Sequence, residues 1–169
     1  MPYSYDTFNQ RIEDHLRNME FVTVLDIGCG AGKYAELVGR VRPAAAVYGV
    51  EVDADYIARF SLENKYVKIF HQDVKQFIET HRDLFWDIVI CGDVIEHLRK
   101  SDGIDLLNFL VYRSREIIVV WPVHFIQRSW EGHAWESHMS IWEAGDFQGF
   151  EFEITREGSM RLAIIRGYL

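Results

Sequence analysis

The residues best able to do chemistry stand at four turns of the chain. Asp26-Ile-Gly28-Cys-Gly30-Ala-Gly32 joins an apolar run to a helical one, and Gly49-Val50-Glu51 closes a second apolar run. His71-Gln72-Asp73-Val74 closes a third, and Gly92-Asp93-Val94-Ile95-Glu96-His97 a fourth. Spaced glycines let a ligand approach the backbone, and the helix behind them offers N–H groups to an anionic group. An acid at the end of the second strand is placed to take ribose hydroxyls. A dinucleotide fingerprint, G-x-G-x-x-G, needs glycine where this chain has Lys33, so the spacing here is G-x-G-x-G. A plain βα turn is the bland alternative for a glycine loop alone.

A fifth stretch, 122–139, carries His124, His133 and His138, Trp130 and Trp135, and Glu131 and Glu136. Loops at the carboxyl ends of strands carry function in open α/β sheets. His138 and His133 are candidate bases, or braces for the loop. The spacing of the three histidines matches no compact ligand motif, so no metal is expected. The tryptophans either stack on a substrate or close a lid. Bland readings hold elsewhere. Asp53 suits a helix cap better than a ribose contact. Ser140 with Glu143 reads as a capping box. Cys29 and Cys91 suit small core spaces, and Lys33 a solvated helix position. Glu96 and His97 either orient the loop or touch substrate.

These turns need elements to hold them. Phe8, Ile12, Leu16 and Met19 recur at helical spacing, behind Asp6 or Thr7 as cap. Apolar, β-branched runs at 21–27, 47–52, 66–70, 86–91 and 117–121 predict five strands. Helices are expected at 33–42, 54–62, 74–82 and from Ser101 or Asp102 to near Tyr112. Strands this apolar are covered on both faces, which means a parallel sheet. A short helix is expected at 140–148. A hairpin over 150–155 and 160–165 then supplies an antiparallel strand. The predicted fold is α/β, Rossmann-like. Its seven-stranded, mostly parallel sheet has the order 3-2-1-4-5-7-6, helices on both faces and the last strand antiparallel.

The chain has 169 residues, 49% of them hydrophobic, and a formal net charge of −8. Length and composition predict one domain over residues 1–169 and exclude disorder as the main description. The negative charge argues against extended nucleic-acid binding. Two cysteines are too few for a disulfide framework and suit a reducing, cytoplasmic setting. Residues 1–14 are polar, unlike a signal peptide, and no apolar run is long enough to span a membrane.

Val24-Leu-Asp-Ile-Gly-Cys-Gly-Ala-Gly-Lys33 and Trp86-Asp-Ile-Val-Ile-Cys-Gly-Asp-Val-Ile-Glu-His-Leu98 resemble the first and fourth-strand motifs of the class I methyltransferases that use S-adenosylmethionine. The resemblance covers roughly residues 20 to 165. It implies that Gly28, Gly30 and Gly32 wrap the methionyl and ribose portions of that cofactor. Asp26 would help hold the methionine amino group, and Glu51 the ribose hydroxyls. Asp73 would accept from the adenine amino group beside the Val74 backbone, with Gly92 and Asp93 near the methionine end. The segment Glu136–Phe147 resembles a subset seen with bacterial surface-polysaccharide and related small-molecule pathways. Signatures of nucleic-acid methylases are missing: positions 91–94 read Cys-Gly-Asp-Val rather than Asn/Asp-Pro-Pro-aromatic, and no Pro-Cys pair occurs. The expected activity is methyl transfer from S-adenosylmethionine to a small-molecule or glycan acceptor, at oxygen or nitrogen. His138, His133 and His97 are the candidate catalytic residues, and Trp130 and Trp135 the candidate acceptor contacts. A non-catalytic cofactor-binding sensor or partner subunit is the alternative, and a nicotinamide-dependent oxidoreductase a more distant one.

Overall fold

A computed structural model of the chain describes residues 3–130 and 132–169; Met1, Pro2 and Glu131 lie outside the described residues. The strands are β1 (Thr23–Ile27), β2 (Ala46–Glu51), β3 (Lys68–His71), β4 (Trp86–Gly92), β5 (Ser114–Pro122), β6 (Phe152–Glu157) and β7 (Met160–Arg166). The helices are α1 (Asn9–Arg17), α2 (Lys33–Val41), α3 (Ala54–Arg59), α4 (Val74–Thr80) and α5 (Lys100–Val111). One seven-stranded sheet has the order β3-β2-β1-β4-β5-β7-β6. The first five strands pair in parallel, and β7 lies antiparallel between β5 and β6. Fold class and strand order are those predicted.

The apolar runs explain themselves once both faces are seen. Successive side chains of a strand point to opposite faces. Ile88 and Ile90 join one buried cluster, with Ile12 and Leu16 of α1 and Leu37 and Val38 of α2. Val89 and Cys91 join the other, with Phe77 of α4 and Leu106, Leu107 and Leu110 of α5. β5 repeats the division, Ile118 and Val120 on one side, Ile117, Val119 and Trp121 on the other. Among the described residues no helix is long and apolar enough to cross a membrane.

Several local expectations fail. The segment 140–148 is not a helix; only a 3-10 turn, Ala144–Phe147, forms there. Trp142 overrides it by entering the core, where it is fully buried and its indole N–H donates to the Ile95 carbonyl at 2.9 Å. Ser140 donates to that same carbonyl, so the capping box belongs to Glu143 and Asp146. α3 stops at Arg59, because Ser61 turns left-handed (φ 50°) before a 3-10 turn at Leu62–Asn64. α5 opens at Lys100 behind Arg99 rather than at Ser101 or Asp102. Neither Asp6 nor Thr7 caps α1 through its side chain; Phe8 takes the N-cap position.

Two helical glycines make a matched test of this packing. Gly39 is exposed, and a Cβ there would touch nothing. Gly39→Ala is expected to stabilise the protein by up to about 1 kcal/mol. A Cβ on Gly103 would lie 2.4 Å from Cζ2 of the buried Trp142. Gly103→Ala is expected to destabilise by about 1–3 kcal/mol despite the better helix former. Urea unfolding of both variants checks the opposite signs.

Candidate active site

The strand ends meet where the order reverses between β1 and β4, the point at which open α/β sheets bind ligands. The turn after β1 alternates its handedness, with Gly28 at φ 74°, Gly30 at φ 50° and Gly32 at φ 84°. L-residues avoid that region. Glu51 ties this turn to β2. One carboxylate oxygen accepts from Gly30 N–H at 2.8 Å, and the other from Asp53 N–H at 2.9 Å. A carboxylate offers about four acceptor positions, so capacity is left for a ligand hydroxyl. Burial raises the Glu51 pKa, opposed by these N–H donors.

Asp26 is fully buried. One of its oxygens accepts from the Tyr66 hydroxyl at 2.6 Å, while Oδ1 has no partner among the described residues. Burial pushes its carboxyl up to about 7, against the pull of the Tyr66 hydrogen bond. Asp93, left-handed at φ 54°, also keeps one unpartnered oxygen, and burial pushes it up to about 6.

One cavity of about 180 Å³ joins these features, running from Gly28, Glu51 and Asp73 to Asp93, His97 and Trp135. Val50, Val52, Val74 and Leu98 give it apolar walls. Carboxylates beside an apolar slot suit a flat heterocycle carrying a diol and a cationic tail. Glu96 and His97 close the far end. Burial, and then the Asp93 charge, raise the Glu96 pKa. Burial, and then His138, push His97 down to about 4. Burial also lowers His138, against its hydrogen bond to Phe125. Both imidazoles are therefore neutral near pH 7.

The loop after β5 covers this end. Met139 and Ser140 N–H groups donate to the Glu96 carbonyl at 2.7 and 3.1 Å. Tyr56 donates to Glu136 at 2.8 Å. Asp53 takes the Trp135 indole N–H at 3.3 Å and pairs with His133 at 3.0 Å. From the other side, Lys33 donates to the Tyr5 carbonyl and pairs with Asp6 at 3.4 Å. It fastens the N-terminal segment rather than standing in solvent.

A family model described as "Methionine biosynthesis protein MetW" matches residues 12–140. The chain belongs to the MetW family. The ubiquinone biosynthesis O-methyltransferase of Glaesserella parasuis serovar 5 is 33% identical over 101 residues, 55% of this chain and 42% of that protein. The mitochondrial ubiquinone biosynthesis O-methyltransferase of Candida albicans is 26% identical over 112 residues, 57% of this chain and 34% of that protein. The MetW-family chain thus spans well under half the length of these relatives. The N-terminal domain of EvdMO1, solved with SAH bound, superposes with a TM-score of 0.72 at 14% identity, over 98% of this chain and 83% of that one. A SAM-dependent methyltransferase from Archaeoglobus fulgidus gives 0.66 at 18% identity, over 94% of each chain. The shared fold is that of the class I S-adenosylmethionine-dependent methyltransferases.

Within this MetW-family site the expected residues divide. Gly28, Gly30, Glu51, Asp73, Val74, Asp93, His97 and Trp135 line the main cavity. Asp26, Gly32 and Gly92 do not; they shape it from behind. A Cβ on Gly92 would lie 2.1 Å from the Tyr34 ring, and one on Gly32 would meet Lys65 at 2.8 Å. Asp73 also caps α4 by accepting from Gln76 N–H at 2.9 Å. His138 borders a smaller neighbouring cavity. His133 is turned to Asp53, away from the other two histidines, and Trp130 lies outside the main cavity, 41% exposed. Sequence reasoning missed Tyr66, Tyr56 and Glu136, which reach the site across 40 and 80 residues. Asp53 does cap α3 as expected, but its second role as anchor of the loop carries no local signal.

Asp26 should cost the unliganded protein stability. Its folded pKa lies above the unfolded value near 3.9. The penalty is therefore absent near pH 4, grows as pH rises to about 7 and is constant above that. Asp26→Asn is expected to raise the melting temperature at pH 8 by roughly 5 °C. Melting curves from pH 5 to 8 should show that gain shrinking as pH falls.

Proposed function

We propose that this MetW-family chain, as one catalytic domain over residues 1–169, transfers a methyl group from S-adenosylmethionine to a hydroxyl oxygen of a small molecule. The observation that carries the reading is the single cavity linking Glu51 to His97. It spans from a carboxylate suited to a ribose diol to the neutral imidazole of His97, suited to an acceptor hydroxyl, with His138 in the adjoining cavity. The names of the ubiquinone O-methyltransferases support transfer to oxygen. The sugar-unit acceptor and transfer to nitrogen remain arms of the acceptor screen.

S-adenosylmethionine, when bound, supplies a sulfonium methyl that the acceptor oxygen takes in line, the C–S electron pair leaving with sulfur. Glu51 holds the ribose hydroxyls, and Asp73 and the Val74 backbone the adenine edge. The unpartnered oxygen of Asp93, on the cavity wall, would take the ammonium of the methionine end, with the Asp26 carboxyl adding negative charge from behind. The cluster of Glu96, His97 and His138 receives the hydroxyl proton, and Trp135 closes the site against water. Two unpaired, buried cysteines suit a reducing, cytoplasmic setting.

Calorimetry should give micromolar binding of S-adenosylmethionine and at least tenfold weaker binding of NAD. Glu51→Ala should weaken S-adenosylmethionine by roughly 10- to 100-fold, since ligand hydroxyls lose their acceptor in a desolvated site. Release of S-adenosylhomocysteine across a panel of phenols, sugars, hydroxy acids and amines, with products weighed by mass spectrometry, identifies the acceptor. The alternative reading is a cofactor-binding partner subunit. Tight cofactor binding with no turnover on any acceptor would select it. Tighter binding of NAD would refute both.

A further inference from the structure

Glu96 is 2% exposed, and neither of its carboxylate oxygens has a hydrogen-bond partner in any other described residue. Buried polar groups are nearly always partnered, and beyond its own backbone N–H the Glu96 carboxylate has acceptor positions free for a ligand. His97 adds a second orphan, its buried Nδ1. His138 is held differently. Its Nδ1 stands 2.7 Å from the Phe125 carbonyl. A carbonyl only accepts, so Nδ1 carries the proton and Nε2 keeps its lone pair. Metal-binding imidazoles are oriented in this way. One ligand atom from each of Glu96, His97 and His138 lies within 4.8 Å of the others. Donors on one ion at about 2.1 Å stand at most about 4.2 Å apart, so small side-chain rotations close the set. The cavity bordered by Asp93, Glu96, His97 and His138 measures about 20 Å³, room for one water-sized particle.

We propose that Glu96, His97 and His138 bind one divalent first-row transition cation beside the cofactor cavity, with open positions for an acceptor oxygen. Two imidazoles and a carboxylate favour zinc, iron, cobalt or manganese over magnesium or calcium, which prefer all-oxygen sites. Asp93 lines both cavities and adds negative charge without an extra neutral ligand. Three protein ligands leave the ion open, as in catalytic rather than structural sites. His97 borders both cavities too, which puts the ion at the junction of cofactor and acceptor. With the ion bound, His138 would act as ligand rather than as proton acceptor: an ion-held hydroxyl is more acidic, and its proton would pass to solvent water. The expectation of no metal considered His124, His133 and His138 together. The fold separates them, sending His124 to Glu143 at 3.1 Å and His133 to Asp53 at 3.0 Å. The acceptor half of this inference rests on the proposed methyltransferase reading; cation binding does not.

The test uses the untagged full chain, stripped with a chelator and titrated with Co²⁺ while its visible absorption is recorded. Affinity for S-adenosylhomocysteine is measured in parallel. The expected result is one Co²⁺ per chain at micromolar concentration, displaced by Zn²⁺ and not by a hundredfold excess of Mg²⁺. His138→Ala and Glu96→Gln should each weaken Co²⁺ at least tenfold while S-adenosylhomocysteine binding changes less than threefold. His138 lies on the covering loop, so its variant keeps the fold even where Glu96→Gln does not, and cooperative melting confirms it. A folded wild type that binds neither Co²⁺ nor Zn²⁺, or a His138→Ala variant that binds Co²⁺ unchanged, overturns the inference. Cation binding without S-adenosylhomocysteine binding would keep it and overturn the methyltransferase reading instead.

Discussion

Asp26 sits in mid-sheet, beside Gly49 of β2 and Ile90 of β4, with one oxygen on the Tyr66 hydroxyl and the other unpartnered among the described residues. Much of the surrounding structure serves that contact. Gly49 has no side chain because a Cβ there would press on Cys29, Ile69 and the Tyr66 ring. The chain from α3 to β3 brings Tyr66 across. The helices on both faces exclude water, and without water a carboxyl group resists ionising. The same dryness acts on Glu51, Asp93 and Glu96 along the carboxyl edge. The protein holds more acid there than it supplies partners for, and that imbalance favours a cationic ligand.

The covering loop belongs to the same economy of partners. Its backbone N–H groups settle on the Glu96 carbonyl, while the Glu96 carboxylate is left open. Asp53 is drawn on twice, once by the first turn of α3 and once by the loop. Positioning of the loop is thus linked to the end of β2, where Glu51 stands. Glu51 and the loop's anchor, Asp53, are two residues apart, and the Asp53 N–H donates to the Glu51 carboxylate at 2.9 Å.

The sheet and its order were legible because both-sided burial writes continuous apolar runs, and the glycine and acid at each strand end are local in sequence. The failures have one cause. Ser140 and Glu143 match a capping box in spacing, yet Trp142 between them gains more from core burial beside Phe147 than a short helix offers. Lys33 looked solvated because nothing nearby in sequence shows Tyr5 and Asp6 folding back onto it. His138 and His133 both read as candidate bases, and only the tertiary fold sends His133 to Asp53 and His138 beside His97. Spacing encodes periodicity; it does not encode which partner across the fold a polar group finds.

A cationic cofactor that completes these buried acids would displace protons from them, and proton linkage tests this directly. Near pH 6.5 the cofactor's amino group is already protonated, whereas Asp26, with its carboxyl up to about 7, is mostly neutral. Binding of S-adenosylmethionine, followed by calorimetry in buffers of different ionisation enthalpy, should release about half a proton or more. Asp26→Asn should reduce that release. Binding with no proton release, or with uptake, would contradict the account.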